Sequence, residues 1–185
     1  MNKKNEFVPL FCLKLRKKLN GVTKGTLFCC YFPFKPLHLH SFIKKTSMAE
    51  DRINSSKAPE PVGAYPHARK VGNLLFLSGV GPRERGTKKI PGVELDEKGN
   101  IISYDIETQC KSVFQNIKYI LEDAGSSWDN IVDVQVFLTN MKDDFAIYNK
   151  VYAEWFKDNQ PCRTTIEINC LPTPIAIELK VIATI

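Results

Sequence analysis

Apolar positions along the chain follow two periods, and each period predicts a different kind of element. Residues 74–78 form a short apolar run closed by Gly79, which is typical of a buried strand. Residues 131–139 alternate between apolar and polar and predict a half-buried strand. The apolar side chains expected on one face of that strand are Val132, Val134, Val136 and Leu138. Alternation returns at 163–170 and at 175–183, and predicts the last two strands.

Apolar residues at steps of three and four predict two helices. Asp105 opens the first helix, and Gly125 supplies its C-terminal stop. The second helix is predicted to start at Asp143 or Asp144. The segment 83–103 is polar and rich in turn residues, so it is expected to form a long loop or an irregular hairpin.

The order of these elements predicts an α+β fold, a single domain with one mixed sheet and two helices on one face. Several strands carry apolar residues on both sides, so the other face of the sheet must also be covered. In a chain of 185 residues the simplest cover is another copy of the same chain.

Charge divides the chain into a basic leader, residues 1–47, and a domain, residues 48–185. The leader holds ten of the 26 Lys and Arg residues and one acid, a net charge of about +9. The domain has 16 basic and 19 acidic residues, a net of −3, so it is not expected to bind nucleic acid. We expect the leader to be dispensable or disordered and the protein to be cytoplasmic; a mitochondrial signal is the alternative. No apolar run approaches the roughly 18 residues of a membrane span, so no membrane partner is expected.

Few residues of this domain are candidates for catalysis or for metal binding. The six cysteines form no CxxC pair, and His67 is the only imidazole after residue 47, so no metal centre is expected. Arg163 and Glu178 are the unusual charges, because each lies in an alternating strand. From spacing alone, an ion pair with a neighbouring strand is the more frequent role for Arg163. For Glu178, an exposed edge or a salt bridge is equally the more frequent role.

Short motifs recur in a fixed order between residues 58 and 184. They are Gly63-Ala64-Tyr65, Leu77-Ser78-Gly79, Tyr148-Asn149, Pro161-Cys162-Arg163-Thr164, Leu171-Pro172 and Ile177-Glu178-Leu179. In this order they resemble the Rid family of imine and enamine deaminases. Residues 62–69, 91–93 and 104–109, together with the turn 171–174, are similar to its 2-aminomuconate deaminase branch. Many Rid proteins have Cys two residues after the arginine, but this chain has Thr165, so no role for a thiol is carried over.

The resemblance implies a chorismate-mutase-like fold assembled as a homotrimer, with sites between subunits and no cofactor. Arg163 would bind the substrate carboxylate, since a guanidinium offers two fixed donors and does not act as a base. Glu178 would orient or deprotonate the attacking water. Tyr65, Ser78 and Asn149 would line the pocket, with Tyr65 entering from a neighbouring subunit.

The expected reaction is hydrolytic deamination of a carboxylate-bearing enamine or imine such as 2-aminomuconate, which releases ammonia and an oxo acid. Three alternatives remain open: a broad 2-imino acid deaminase, an RNA-cleaving or translation-inhibiting protein, and a chaperone-like trimer.

A dicarboxylate substrate would need a second cation for its far end. Arg83 is the first choice, with Arg85, His67 and Arg69 as other candidates, and a solvated surface loop is an equally open interpretation of Arg83.

Overall fold

The computed structural model describes residues 51–185 and contains eight strands, two α-helices and a short 3-10 turn. The strands are β1 (Arg52–Ile53), β2 (Ala68–Val71), β3 (Leu74–Leu77), β4 (Val93–Leu95), β5 (Ile101–Tyr104), β6 (Ile131–Leu138), β7 (Cys162–Glu167) and β8 (Ile177–Thr184). The helices are α1 (Ile106–Asp123) and α2 (Met141–Phe156), and the 3-10 turn is Trp128–Asn130. The predicted leader, residues 1–47, lies outside the described residues.

Six of the strands form one sheet in the order β1-β2-β3-β8-β6-β7. All neighbours in it are antiparallel except β6 and β7, which run parallel, so the sheet is mixed. The two helices contact each other and pack on the β6–β8 part of the sheet. The predicted α+β class, with one mixed sheet and two helices, is therefore confirmed. Strands β4 and β5 pair separately, so the end of the 83–103 segment is a hairpin.

The first helix follows its sequence signals closely. The side chain of Asp105 accepts a hydrogen bond from the Glu107 N–H at 3.1 Å, which satisfies one of the free donors at the helix start. Gly125 has φ +76°, the left-handed conformation that ends a helix at little cost for glycine.

The second helix begins earlier than its pattern predicted. Asn140 is the cap, and its side-chain oxygen accepts the Asp143 N–H at 3.3 Å. Asp143 and Asp144 therefore lie in the first turn, where acids interact favourably with the helix dipole, so the predicted start was wrong.

Two strand predictions need correction. The register of β6 on β8 shifts between Ile131 and Asp133. Ile131 therefore takes the buried position, while Val132 is 43% exposed. The predicted face therefore keeps only Val134, Val136 and Leu138, all fully buried. The predicted strand 163–170 ends at Glu167, and the chain between that residue and β8 is irregular.

Candidate active site

The two faces of the main sheet separate the two candidate catalytic residues. Arg163 on β7 is directly opposite Val134 on β6, so its side chain is on the face covered by the helices. Glu178 on β8 is opposite Phe137, one position out of phase with the buried residues, so it lies on the other face. We call this second surface the open face. A single chain therefore does not bring Arg163 and Glu178 together.

Glu178 lines a cavity of about 490 Å³ on the open face. Three other sequence candidates, Tyr65, Ser78 and Arg83, line the same cavity. Tyr65 lies with Ser78 and Glu178 of its own chain and apart from Arg163 of that chain, so its expected entry from a neighbouring subunit stays a prediction. Two hydrogen bonds join the segment after Tyr65 to Ser78: the Ser78 N–H donates to His67 O at 2.9 Å, and the Ser78 hydroxyl donates to Pro66 O at 2.7 Å.

The carboxyl group of Glu178 is half-buried and closely packed. Burial raises its pKa, and the positive charge of Arg83 opposes that rise. A Cβ added to Gly79 would come within 2.8 Å of the Glu178 carboxyl carbon, so a larger residue there would move the carboxyl group from this position. A carboxylate of raised basicity, held at the wall of a cavity, can accept a proton from water.

Arg163 belongs to a second group of residues, on the helix side of β7. Its Nη1–H donates to Asn149 Oδ1 at 2.9 Å, and its guanidinium carbon is 4.6 Å from the ring centre of Tyr152. Burial raises the pKa of Tyr152 to about 12, so the ring that Arg163 covers is a neutral phenol. Among residues 51–185, no carboxylate forms an ion pair with Arg163. The guanidinium is therefore oriented, exposed and free to bind an anion.

Two of the other cations proposed for a distal carboxylate have structural roles. His67 is buried; its Nδ1 accepts from the Ser55 N–H at 3.0 Å, and its Nε2–H donates to Pro59 O at 2.8 Å. Arg85 donates to Ala58 O at 2.7 Å and pairs with Glu60 at 3.0 Å. These two side chains hold the segment 55–60 in place.

Arg83 and Arg69 both line the Glu178 cavity. Arg83 also donates from Nη2 to Glu60 O at 2.9 Å.

Three features of the site were missed from sequence. The contact of Tyr152 with Arg163 was not predicted, although the position of Tyr152 one turn after Tyr148 on α2 could have indicated it. Lys180 lines the Glu178 cavity, as the two-residue period of β8 could have shown. Gly79 was named in a motif, but its contact with Glu178 was not predicted, because the two residues are distant in sequence.

Neither a metal centre nor a membrane span is found in the part of the chain that the structure describes. No group of three or more His, Cys, Asp or Glu side chains between residues 51 and 185 is placed to hold a metal ion. Neither α1 nor α2 is both long and apolar enough to cross a membrane.

Residues 55–185 are similar to proteins of one known family. They match the sequence model described as Endoribonuclease L-PSP. A RutC family protein of Pyrococcus abyssi is 40% identical over 136 residues, which is 74% of this chain and 98% of that protein. Reactive Intermediate Deaminase A, chloroplastic, of Arabidopsis thaliana is 32% identical over 143 residues, 77% of this chain and 70% of that one.

A solved structure supports the same grouping. The crystal structure of E. coli TdcF with bound serine superposes with a TM-score of 0.62 at 28% identity, and covers 72% of this chain and 98% of that chain.

Proposed function

This chain belongs to the Rid family, whose sequence model is described as Endoribonuclease L-PSP, and from this premise we propose that it is an imine and enamine deaminase that uses no cofactor. The relative from Arabidopsis thaliana is named as a reactive intermediate deaminase. The substrate class proposed here is a small carboxylate with a C=N bond, or the enamine from which such a bond forms.

The separation of Arg163 from Glu178 carries the proposal. One chain offers an anion-binding group at β7 (Arg163 and Asn149) and a carboxylate-lined cavity on the open face (Tyr65, Ser78, Arg83 and Glu178). A contact between copies that joins these two different surfaces would complete the site, and such a contact forms a ring when its rotation closes. With the number of copies taken from the resemblance to the Rid family, we propose a homotrimer with sites between subunits.

The open face also has apolar surface that a second copy could cover. Phe76, Phe137 and Ile182 are only half-buried there. Burying such side chains contributes roughly 25 cal/mol for each Å² of apolar surface removed from water. This contribution would favour assembly over an isolated chain.

The proposed reaction needs orientation and one proton acceptor. Arg163 of one chain binds the substrate carboxylate in a two-pronged hydrogen bond, with Asn149 fixing the guanidinium. Glu178 of the next chain takes a proton from water as the water oxygen bonds to the imine carbon. Starting from the protonated imine, this step gives a neutral carbinolamine, and its nitrogen takes the proton from Glu178. Ammonia then leaves as the C–N bond breaks, the hydroxyl proton passes to Glu178 and the carbonyl forms. An enamine first gains a proton on carbon and becomes the imine.

The specific substrate that we propose is 2-aminomuconate. This proposal is supported by the similarity of residues 62–69, 91–93 and 104–109 to the 2-aminomuconate deaminase branch of the family. The alternative is a broad 2-imino acid deaminase acting on monocarboxylates. That TdcF was crystallised with serine, a small amino acid, is compatible with a site for a single carboxylate.

Ribonuclease activity, which the name of the family model suggests, is less well supported by the residues. The domain carries a net charge of −3, whereas RNA binding depends on neutralising phosphates. His67, the only histidine after residue 47, has both ring nitrogens engaged with backbone groups. It is therefore not available as a general base for a ribose hydroxyl.

Ammonia release from 2-iminopropionate and from 2-aminomuconate tests the proposal. Arg163→Ala should stay folded and lose roughly 30- to 5,000-fold in kcat/KM, as expected for a lost charged hydrogen-bonding partner worth about 2–5 kcal/mol. Arg163→Lys should recover only part of the loss, because an ammonium cannot bind bidentately. Glu178→Gln should keep substrate binding and lower kcat, because it removes the group that takes the proton from water. Glu154→Gln, a change on an exposed position of α2, is its matched control and should be neutral.

Near-normal turnover by Arg163→Ala would overturn the site assignment. RNA cleavage by the wild type without ammonia release from either substrate would overturn the proposed function.

A further inference from the structure

Two arginines stand directly opposite each other at the β1–β2 edge of the sheet. Arg52 and Arg69 are Cα partners in antiparallel strands, so both side chains leave the same face with Cβ atoms about 5 Å apart. Like charges in this position destabilise a sheet. Both side chains are exposed, and no carboxylate within residues 51–185 pairs with either of them.

The arginine pair adjoins the Glu178 cavity. Arg52 and Arg69 line a second cavity of about 510 Å³, together with Asn54 and Tyr65. Tyr65 and Arg69 line both cavities, whereas Glu178 and Arg83 line only the first. Tyr65 and Arg69 are thus shared by the two cavities, which puts the arginine pair next to the candidate site.

Two guanidinium groups facing one space favour an anion between them. They do not lose their charge at any physiological pH, and each presents N–H donors in the geometry that fits a carboxylate. A carboxylate placed between them would turn their repulsion into two attractions, and the amide of Asn54 can donate a further hydrogen bond.

We propose that Arg52 and Arg69 form a second anion subsite, which binds the distal carboxylate of a dicarboxylate imine or enamine. The inference rests on the proposed function, since it assumes that the reacting end lies at Glu178. It assigns Arg83 to that reacting end, because Arg83 lies beside Glu178 and does not reach the second cavity. Arg69 then distinguishes dicarboxylate from monocarboxylate substrates.

Steady-state kinetics with 2-aminomuconate and 2-iminopropionate test the subsite in the full chain. Arg52→Gln, whose side chain lines only the second cavity, should raise KM for the dicarboxylate on the order of tenfold or more, the loss expected for a hydrogen bond to a charged group, and leave the monocarboxylate unchanged. Arg69→Gln should raise KM for the dicarboxylate by at least as much, and by more than it changes KM for the monocarboxylate. Lys70→Gln is the matched control, since it removes the same charge from β2 on the opposite face and should affect neither substrate.

A binding measurement separates failure of the subsite from failure of the proposed function. Calorimetry with muconate, an unreactive dicarboxylate, should show binding to the wild type and a large loss in Arg69→Gln even if neither imine is hydrolysed. Muconate binding that is equal in both proteins would overturn the subsite.

Three further results would also overturn the subsite. The first is a selective loss of dicarboxylate turnover in Arg83→Ala but not in Arg69→Gln. The second is that inorganic phosphate binds at Arg69 while substrate preference stays unchanged in the variants, which would indicate a site for a separate anion. The third is a change of oligomeric state in Arg52→Gln or Arg69→Gln, which would assign the pair to a contact between copies.

Discussion

Two inactive variants of this chain are expected to restore activity to each other within one trimer. Arg163→Ala removes the guanidinium on the helix side of the sheet, and Glu178→Gln removes the carboxylate on the open face. Because the strand register puts these side chains on opposite faces, we expect each complete site to take Arg163 from one chain and Glu178 from the next.

The size of the restoration depends on the geometry of a ring. A ring of three chains has three such interfaces, and any ring that contains both variants has one interface in which both side chains are intact. Rings made of one variant have none. Mixed trimers should therefore show about one third of the wild-type kcat, with an unchanged KM.

Co-expression of the two variants with different affinity tags, then purification on both, isolates the mixed rings for an ammonia-release assay. Trimers mixed from two differently tagged Arg163→Ala chains are the control and should stay at the level of the single variant. Mixed trimers no more active than this control would refute a site between chains. A recovery of about one half would instead indicate a dimer.

Four other predictions concern single features. Gly79→Ala should lower kcat without unfolding the protein, because the added Cβ would meet the Glu178 carboxyl carbon at 2.8 Å and displace it; thermal unfolding that falls together with kcat would contradict this. On acidification, activity should begin to fall at a higher pH than it would with an ordinary carboxyl group as the base. Burial raises the pKa of Glu178, and this carboxyl group must be deprotonated to accept a proton from water. Arg83→Ala should move that limb of the kcat profile to still higher pH, since it removes the charge that opposes the rise, and a shift to lower pH would contradict the assignment. A chain that begins at Met48 should match the full chain in melting temperature and turnover at equal concentration, because residues 1–47 carry no periodic apolar pattern; a clearly lower melting temperature would show that the leader packs on the domain.

Helix α1 and strand β8 show how much of the fold could be predicted from periodicity. Both have one buried face, so their apolar residues recur at a fixed period, and the N-cap Asp105 and the left-handed Gly125 mark the ends of α1. The same reasoning failed at Val132, because a register shift changes which side chains face inward without changing the alternation of residue types. It also missed the start of α2, where Asn140 competed with two acids as the capping residue.

The candidate site divides in the same way. Its residues could be named from sequence, because short motifs fix Tyr65, Ser78, Arg163 and Glu178 one at a time. Their positions relative to one another depend on strand pairing. The alternation of β7 puts Arg163 and Ile166 on opposite faces of the strand, but it does not say which of the two faces is turned towards the helices. The parallel register of β7 on β6 decides this, and it places Arg163 opposite Val134.

The sequence by itself determined the fold class, the main elements and the residue types available for chemistry, because these depend on local periodicity and on motifs within single segments. Only the tertiary structure decided that Arg163 and Glu178 face opposite sides of the sheet, and that Arg52 stands opposite Arg69 beside the Glu178 cavity. The physical reason is that side-chain direction alternates along a strand, so a shift of the strand register by one residue moves every side chain to the other face. The register is fixed by contacts between segments that are distant in sequence.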